Sequence, residues 1–295
     1  MSLLYVPEGT PTKQALDSSE QAKSIFALEH GKIVYLPEES LSLHTEEAFL
    51  FSPQIKAGKA KNISYSPHAG KIKHTALTGV ELNSLTLLLQ RYADYASSLI
   101  ANLFPLYVPH LTRGRTSFRP IEIAGRIPAS YKKDDTRVHV DAFPASPTQG
   151  QRILRVFCNI NPDKRPRVWE VGESFEQVAT QFLPKVASYS SFQAQMLKIF
   201  KLTHSYRTAY DHYMLGLHDA MKKDVGYQTS VKKKQFDFPA GSTWIVYTDQ
   251  VSHAALKGQH LLEQTFYLPP QIMLHAAQTP LYVLEKLLGR HLLVS

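Results

Sequence analysis

Two histidines and one aspartate in this sequence could together bind a metal ion. His139 and Asp141 stand two residues apart in the segment 137–141 (RVHVD), whose composition is typical of a β-strand. Side chains two apart on a strand point to the same face, so an imidazole and a carboxylate can reach one cation. His253 lies in a second strand-like segment, which follows a Pro-Ala-Gly-Ser turn at 239–242 and another short strand. We therefore predict a metal site formed by His139, Asp141 and His253.

The donor set of this predicted site indicates a class of chemistry. Two histidines and one carboxylate on one side of a metal are the facial triad of non-heme iron(II) oxygenases. Such a site leaves positions for a bidentate 2-oxo acid and for dioxygen. A single His-x-Asp is weak evidence, and the later histidine strengthens this interpretation.

A bound 2-oxoglutarate would also need a cation for its far carboxylate. The segment 152–160 (RILRVFCNI) reads as a strand on which Arg155 and Asn159 share one face. Many oxygenases place this cation about ten residues after the second histidine. The strand LLEQTFYL at that place has neither Arg nor Lys. We therefore predict Arg155 as the anchor, with His260 as second candidate, and Asn159 and Gln264 as further cosubstrate contacts.

The elements that must position these residues are short strands and a few helices. Residues 79–104 show apolar residues at helical spacing and predict a helix packed on a sheet. Short β-rich segments are predicted at 121–124, 137–141, 152–160, 165–169, 232–238, 242–247, 251–256 and 261–268. A helical insert is predicted at roughly 190–225 and a C-terminal helix at 280–293. His204, His212 and His218 fall in the insert and read as packing or surface residues.

This pattern predicts an α+β protein that is mainly β. Strands on both sides of one helical insert favour a double-stranded β-helix, or jelly-roll, core buttressed by helices. The sequence contains no Pro/Gly/Ser-rich linker, so we predict one domain, 1–295. The C-terminal helix is expected to pack on the core, with a role at a membrane surface as the alternative.

Composition narrows the partners and the compartment. Hydrophobic residues make up 43% of the chain, as in soluble globular proteins, and the formal net charge of +8 suits anionic partners. The single cysteine excludes an intrachain disulfide. The first thirty residues lack the pattern of a secretory signal, and no apolar run predicts a membrane span. Cytoplasmic residence is therefore expected.

Longer stretches of the sequence carry a resemblance. The segment 133–176 (KDDTRVHVDAFPASPTQGQRILRVFCNINPDKRPRVWEVGESFE) resembles the core of the Kdo 3-hydroxylases, bacterial enzymes that act on 3-deoxy-D-manno-oct-2-ulosonic acid. Further matching pieces are GKAKNISY (58–65), RGRTSFRPIEIAGR (113–126), YDHYMLGLHDAMKKD (210–224) and TDQVSHAALKGQHLLEQTFYLP (248–269). The resemblance spans most of the chain, except the first forty and the last twenty-five residues.

The resemblance implies a jelly-roll dioxygenase that uses Fe(II), 2-oxoglutarate and O2. It implies hydroxylation of carbon 3 of Kdo, giving Ko, on a lipopolysaccharide precursor linked to lipid A, with release of succinate and CO2. The family's metal motif maps onto His139, Asp141 and His253. Basic and polar residues in the matching segments are candidate substrate contacts: Lys61, Asn62, Arg119, Arg126 and Arg137.

Three alternatives remain open from the sequence. The chain could oxidise a different substrate, or it could be a non-redox sugar- or lipid-binding barrel whose triad is structural or holds zinc. A nucleic-acid-binding role has only the basic charge in its favour, and no recognition motif supports it. Neither a nucleic acid nor an obligate protein partner is expected. Peripheral attachment to the inner face of the inner membrane is a hypothesis motivated by the lipid-linked substrate.

Overall fold

The computed structural model describes residues 3–9, 11–12, 16–58 and 60–293. The predicted domain 1–295 therefore extends at both termini beyond the described residues, and its extent stays a prediction. Within the described part lie the strands β1 (Leu4–Tyr5), β2 (Ile33–Leu36), β3 (Ile63–Ser66), β4 (Lys71–Lys73), β5 (Thr112–Arg119), β6 (Arg152–Asn159), β7 (Arg167–Val171), β8 (Lys234–Phe238), β9 (Thr243–Tyr247), β10 (His253–Lys257) and β11 (Leu261–Leu268). The α-helices are α1 (Ser18–Glu29), α2 (Gly79–Leu103), α3 (Phe175–Phe182), α4 (Ser191–Ile199), α5 (Ala209–Lys223), α6 (Val225–Ser230) and α7 (Pro280–Leu288).

The strands form two sheets that pack face to face. The larger sheet has the order β1-β2-β9-β6-β11-β5-β3-β4, and the smaller has the order β10-β7-β8. Only β1 and β2 pair in parallel; the other ladders are antiparallel. Between the sheets, Phe157 and Trp244 of the larger one meet Trp169 and Phe238 of the smaller one. This arrangement confirms the predicted jelly-roll core.

Strand β6 shows that both faces of the larger sheet are covered by other parts of the protein. All of its eight residues are buried. Leu154 and Val156 pack in the cluster that contains residues of α1 and α2, whereas Phe157 packs in the cluster between the sheets. Both faces of this strand are therefore covered, and its polar residues Arg152, Arg155 and Asn159 are buried with the apolar ones.

Helix α2 covers the outer face of the larger sheet, as its apolar spacing predicted. Its residues Leu85, Leu88, Leu89, Tyr92, Ala96, Leu99 and Leu103 are all fully buried. Helices α3 and α5 pack against each other with α7 in a second cluster, which includes Leu281 and Leu284 of α7. Helix α7 ends at Leu288 because Gly289 adopts the left-handed conformation. Among the described residues, no helix is long and apolar enough to cross a membrane.

Two predicted strands differ from the structure. Residues 121–124 (IEIA) form an irregular loop, because the Glu122 carboxylate accepts hydrogen bonds from the backbone N–H groups of Ile123, Ala124 and Gly258. Residues 137–141 form no full strand, and only His139 pairs, in an isolated bridge with His253. Strand β5 was not predicted, since its alternating arginines and its glycine do not resemble a buried strand.

Candidate metal centre and adjoining cavities

Three buried side chains converge where β10 meets the segment before β6. His139 and His253 exchange two backbone hydrogen bonds, of 3.0 and 2.9 Å, and the Asp141 N–H donates to the Thr248 carbonyl at 2.8 Å. One ligand atom from each of His139, Asp141 and His253 lies within 4.8 Å of the others. The backbone pairing therefore brings together the three residues that the sequence predicted as metal ligands.

Hydrogen bonds fix which nitrogen of each imidazole faces the site. The His139 Nδ1 lies 2.7 Å from the Arg137 carbonyl, and the His253 Nδ1 lies 2.8 Å from the Val251 carbonyl. A carbonyl only accepts, so each Nδ1 carries the proton and each Nε2 keeps its lone pair for a metal. The Trp169 ring stacks on His253 with centroids 4.8 Å apart and 18° between the planes, which holds that imidazole in place.

The protonation states of the triad suit a cation. Burial lowers the pKa of both His139 and His253, so both imidazoles are neutral at pH 7. Burial alone would raise the pKa of Asp141, but the neighbouring Arg155 charge, together with smaller contributions from His253 and His139, holds that pKa below the ordinary value. Two neutral nitrogens and one carboxylate are the forms that metal binding requires. The residues present therefore fit a divalent transition metal.

Arg155 lies beside this triad but is already engaged. Its Nη1 lies 3.0 Å from Asp141 Oδ2, and its Nε lies 3.4 Å from Glu263 Oε1. Glu263 stands ten residues after His253, at the position where the cation was sought, and it also pairs with Arg119. The chain thus places an acid on that strand and arginines on the strands to either side of it.

A small inner cavity of about 70 Å³ adjoins the triad. Its lining includes all three triad residues together with Arg155, Arg167 and Trp169, among others. Eight of its ten lining residues are buried; only Arg119 and Asp135 are partly exposed.

Arg167 is the unusual member of the inner cavity. Its Nη1 donates to the Gly258 carbonyl at 2.7 Å, and its buried Nε has no partner; the buried Trp169 Nε1 has none either. No carboxylate of the described residues forms an ion pair with Arg167. Burial, together with the nearby Arg119 charge, lowers the pKa of Arg167 to about 9, so the group stays charged at neutral pH. A buried cation without a carboxylate is costly unless an anion binds there.

A larger outer cavity of about 320 Å³ lies on the other side of Arg119 and Arg155, which line both cavities. Strand β5 contributes Arg115 and Ser117, and the loop after Asp141 contributes Phe143 to Ser146. Arg115 is exposed, so this cavity is in contact with solvent. An open groove of about 660 Å³ between α5 and residues 185–187 has no triad residue in its lining.

Three predicted cosubstrate contacts lie elsewhere. In the ladder with β6, Gln264 pairs with Val156, so it points to the α2 side; its amide bonds to Thr116 and to its own strand. His260 lies between the rings of Phe51 and Phe118 and lines neither cavity. The register thus places Gln264 on the face opposite Arg155, and ring contacts place His260 away from both cavities, so their cosubstrate contacts stay predictions.

Asn159 shares a face with Arg155, as expected, and its amide bonds to backbone groups. Its Nδ2 donates to the carbonyls of Arg165 and Phe238, and its Oδ1 accepts from the Asn161 N–H. Both N–H donors of this amide are thus used by backbone carbonyls, and a cosubstrate contact of Asn159 stays a prediction.

The predicted substrate contacts divide into three groups. Asn62 and Arg119 line the outer cavity. Lys61 and Arg126 both form ion pairs with Asp135, at the edge of the inner cavity, and reach neither cavity directly. Arg137 donates to the Lys222 carbonyl at 2.6 Å and pairs with Asp134, so it stabilises the loop before the triad. A contact between Arg137 and substrate stays a prediction.

Several site residues escaped the sequence analysis. Arg167 and Trp169 are two residues apart on β7, so the sequence could predict that they share a face of the strand. Nothing in the sequence showed that this face lies towards the triad. Arg115 lies on the unpredicted strand β5. His218, interpreted as a packing or surface residue, meets the His139 ring edge-on with centroids 5.3 Å apart.

A jelly-roll core that brings two histidines and one aspartate together is typical of the non-heme iron oxygenases. The family model for 3-deoxy-D-manno-oct-2-ulosonic acid (Kdo) hydroxylase matches residues 11–291. The chain therefore belongs to the Kdo hydroxylase family.

Solved structures agree with this membership. The chain is similar to the Kdo hydroxylase KdoO, described as a non-heme Fe(II) alphaketoglutarate-dependent dioxygenase, in complex with cobalt(II): 44% identity, 100% of this chain and 98% of the other, TM-score 0.96. A second KdoO structure, with alphaketoglutarate and Fe(III), matches at 44% identity over 98% and 97%, TM-score 0.93. A third, with succinate and Fe(III), has a TM-score of 0.95 at the same identity. No curated protein matches the chain.

Proposed function

We propose that this chain hydroxylates carbon 3 of Kdo, on a glycolipid linked to lipid A, in a reaction that depends on Fe(II), 2-oxoglutarate and O2. The family supports the reaction type and the sugar. One structural observation carries the proposal. The unpaired Arg167 charge lines the same small buried cavity as the triad. A molecule with a 2-oxo acid at one end and a carboxylate at the other can chelate the metal of the triad and also pair with Arg167.

His139, Asp141 and His253 would hold the iron through two Nε2 atoms and one carboxylate oxygen. When bound there, Fe(II) supplies the redox chemistry that activates dioxygen. The protein's own contribution is to present neutral imidazoles and an ionised carboxylate in a buried site. The stacked Trp169 and the backbone carbonyls at Nδ1 keep the two rings oriented.

Arg167 would bind the far carboxylate of 2-oxoglutarate. Its free Nε–H and the free Trp169 Nε1–H are two buried donors that line one cavity, and a carboxylate can accept from both. Arg119 and Arg155 add positive charge to the same wall, but each shares its charge with Glu263. We therefore assign the anchor to Arg167, in place of the Arg155 expected from the sequence.

Arg155 would act on the metal through Asp141. Because its guanidinium contacts Oδ2, the carboxylate is held with Oδ1 turned towards His139, whose Nε2 lies 3.7 Å away. Such outer partners orient a ligand and keep it ionised. Arg155 is thus a positioning residue in this proposal.

The outer cavity would bind the sugar. Kdo carries a carboxylate, and the cavity offers the guanidinium of Arg115 with the hydroxyls of Ser64, Ser117 and Tyr267. Of the substrate contacts expected from the sequence, Asn62 and Arg119 remain in this role. Lys61 and Arg126 would act only indirectly, by neutralising Asp135. A cytoplasmic location and the lipid acceptor are part of this proposal.

The test is to load the protein with Fe(II) and 2-oxoglutarate without oxygen, then to admit air and Kdo2-lipid A. The lipid is analysed by mass spectrometry and succinate is assayed. The expected result is one added oxygen on Kdo with matching succinate, and neither product from His253→Ala. Succinate without lipid oxidation would reject the substrate. The absence of both products from folded, iron-loaded protein would favour the non-redox binding barrel.

A further inference from the structure

Four large apolar side chains are exposed within eleven residues at and just after helix α4. Phe192 is 74% exposed, Ile199 58%, Phe200 63% and Leu202 63%. Single exposed apolar residues are common on soluble proteins, but such a cluster marks an interaction surface. We call residues 192–202 the docking segment.

Helical geometry places the exposed side chains together. Phe192, Met196 and Ile199 are four and three residues apart and share one face of α4, and Phe200 lies next to them. Ala194, on the other side of the helix, is buried against the protein. The apolar stripe of α4 therefore faces outwards, the reverse of what packing on the protein core requires.

Along the chain, the charges nearest to this stripe all have one sign. No Asp or Glu occurs between Glu176 and Asp211. The exposed Lys198 and Lys201 lie within the docking segment itself. An apolar face flanked by lysines is complementary to a bilayer with anionic headgroups, where apolar side chains enter the interface and ammonium groups stay at the phosphates.

The docking segment also adjoins the outer cavity. Directly after it, the His204 N–H donates to the Ala145 carbonyl at 2.9 Å, and Arg207 Nη2 donates to the Pro144 carbonyl at 2.6 Å. Pro144 and Ala145 line the outer cavity. Any surface that binds the docking segment would therefore lie next to the outer cavity, to which we assign the sugar.

We infer that the docking segment binds the surface of a bilayer that contains anionic phospholipid. Its purpose there, to bring the outer cavity to a membrane-embedded glycolipid, rests on the proposed function. The C-terminal helix α7, which the sequence offered for this role, buries Leu281, Val283 and Leu284 in the interior. It therefore presents less apolar surface than α4.

The experiment is co-sedimentation of the full chain with vesicles of phosphatidylethanolamine and phosphatidylglycerol, without glycolipid. We expect wild type to bind, and Phe192→Ser/Ile199→Ser/Phe200→Ser to bind at least about tenfold less. The matched control is Val6→Ser/Val80→Ser/Leu274→Ser, which removes exposed apolar residues on other elements and should bind like wild type. Lys198→Glu/Lys201→Glu should lose binding as well, and neutral phosphatidylcholine vesicles should bind wild type weakly.

Two readouts separate this inference from other outcomes. The triple variant at 192, 199 and 200 should keep its turnover of detergent-dispersed glycolipid, which shows that it is folded, and should lose turnover of vesicle-embedded glycolipid. Equal vesicle binding by wild type and the triple variant, or no binding by wild type, would overturn the inference. If wild type forms a dimer and does not bind vesicles, and the triple variant is monomeric, the surface binds a second copy of the chain. That result would also overturn the inference. Vesicle binding by a protein that never oxidises Kdo would reject the proposed function alone.

Discussion

The inner and the outer cavity share Arg119 and Arg155 but differ in how their charges are satisfied. In the inner cavity, the buried Arg167 has no carboxylate partner among the described residues. In the outer cavity, Arg119 pairs with Glu263, and Arg115 is exposed to water. A buried unpaired cation suits one small anion that binds at every turnover, whereas a hydrated cation can accept a larger substrate at less cost.

Arginines of the two cavities can therefore have different roles because they differ in burial. Arg167 would bind the cosubstrate, Arg155 would hold a metal ligand, and Arg115 would contact the sugar. Their charge alone does not distinguish these roles, because all three side chains end in a guanidinium group. Their hydrogen-bond and ion-pair partners and their exposure to solvent distinguish the roles.

The largest effect is expected from Asp141→Ala, which removes a feature that both cavities depend on. We expect loss of Fe(II) retention and a fall in succinate release of roughly 10³-fold or more, because two neutral imidazoles alone hold the ion weakly. Metal content and succinate are measured together. Asp163→Ala, at an exposed aspartate, should match wild type. Retained iron in Asp141→Ala would contradict the triad.

Arg155→Met tests the wall between the two cavities. The loss of the contact with Asp141 Oδ2 should weaken Fe(II) affinity by roughly 10- to 100-fold, as for other outer partners of metal ligands. Arg155→Lys should lie between this variant and wild type, since it keeps the charge without the fork. An unchanged metal affinity with a raised KM for 2-oxoglutarate would instead make Arg155 the anchor.

Gly258→Ala should affect the inner cavity alone. A Cβ at Gly258 would lie 2.9 Å from the Arg167 Cδ and 3.0 Å from its Cα, so Arg167 must shift. We expect the KM for 2-oxoglutarate to rise by about tenfold. Gly241→Ala carries a similar positive φ but meets nothing within 4 Å, so it controls for backbone strain. Equal KM values in the two variants would argue against the role of Arg167.

Arg137→Ala touches neither cavity and should have the smallest effect. It removes hydrogen bonds to the Lys222 carbonyl and to Asp134, so the free energy of unfolding should fall by about 1 kcal/mol. Both KM values should stay as in wild type. A raised KM for the glycolipid would restore Arg137 as a substrate contact, and denaturant unfolding measures the stability.

The sequence predicted the jelly-roll core, helix α2 and the three residues that meet at the triad. These rest on local periodicity, which residues two apart on a strand or three and four apart on a helix make visible. It could not show how the strands pair. Gln264 and Leu262 do share a face of β11, but only the register with β6 shows that Arg155 is on the opposite side.

Arg167 was missed for a related reason. It follows Pro166 in the segment RPRVW (165–169), which was predicted as a short β-rich segment without any indication of which face is buried. The segment becomes β7, the central strand of the smaller sheet, and the guanidinium is buried beside the triad. Burial of a charged side chain follows from tertiary packing, so the sequence did not indicate it.

The most direct test of this division of tasks is a crossed measurement of KM for 2-oxoglutarate and for the glycolipid in Arg167→Met and Arg115→Met. Arg165→Met and Arg113→Met replace neighbouring arginines that pair with Asp163 and Asp94 and serve as controls. Metal-free Arg167→Met should unfold at no lower temperature than wild type, because it loses a buried charge without a carboxylate partner. We predict that Arg167→Met raises only the KM for 2-oxoglutarate, by roughly 10²-fold, and Arg115→Met only that for the glycolipid, by about tenfold. An unchanged KM for 2-oxoglutarate in Arg167→Met, or a rise of both constants in each variant, would contradict the account.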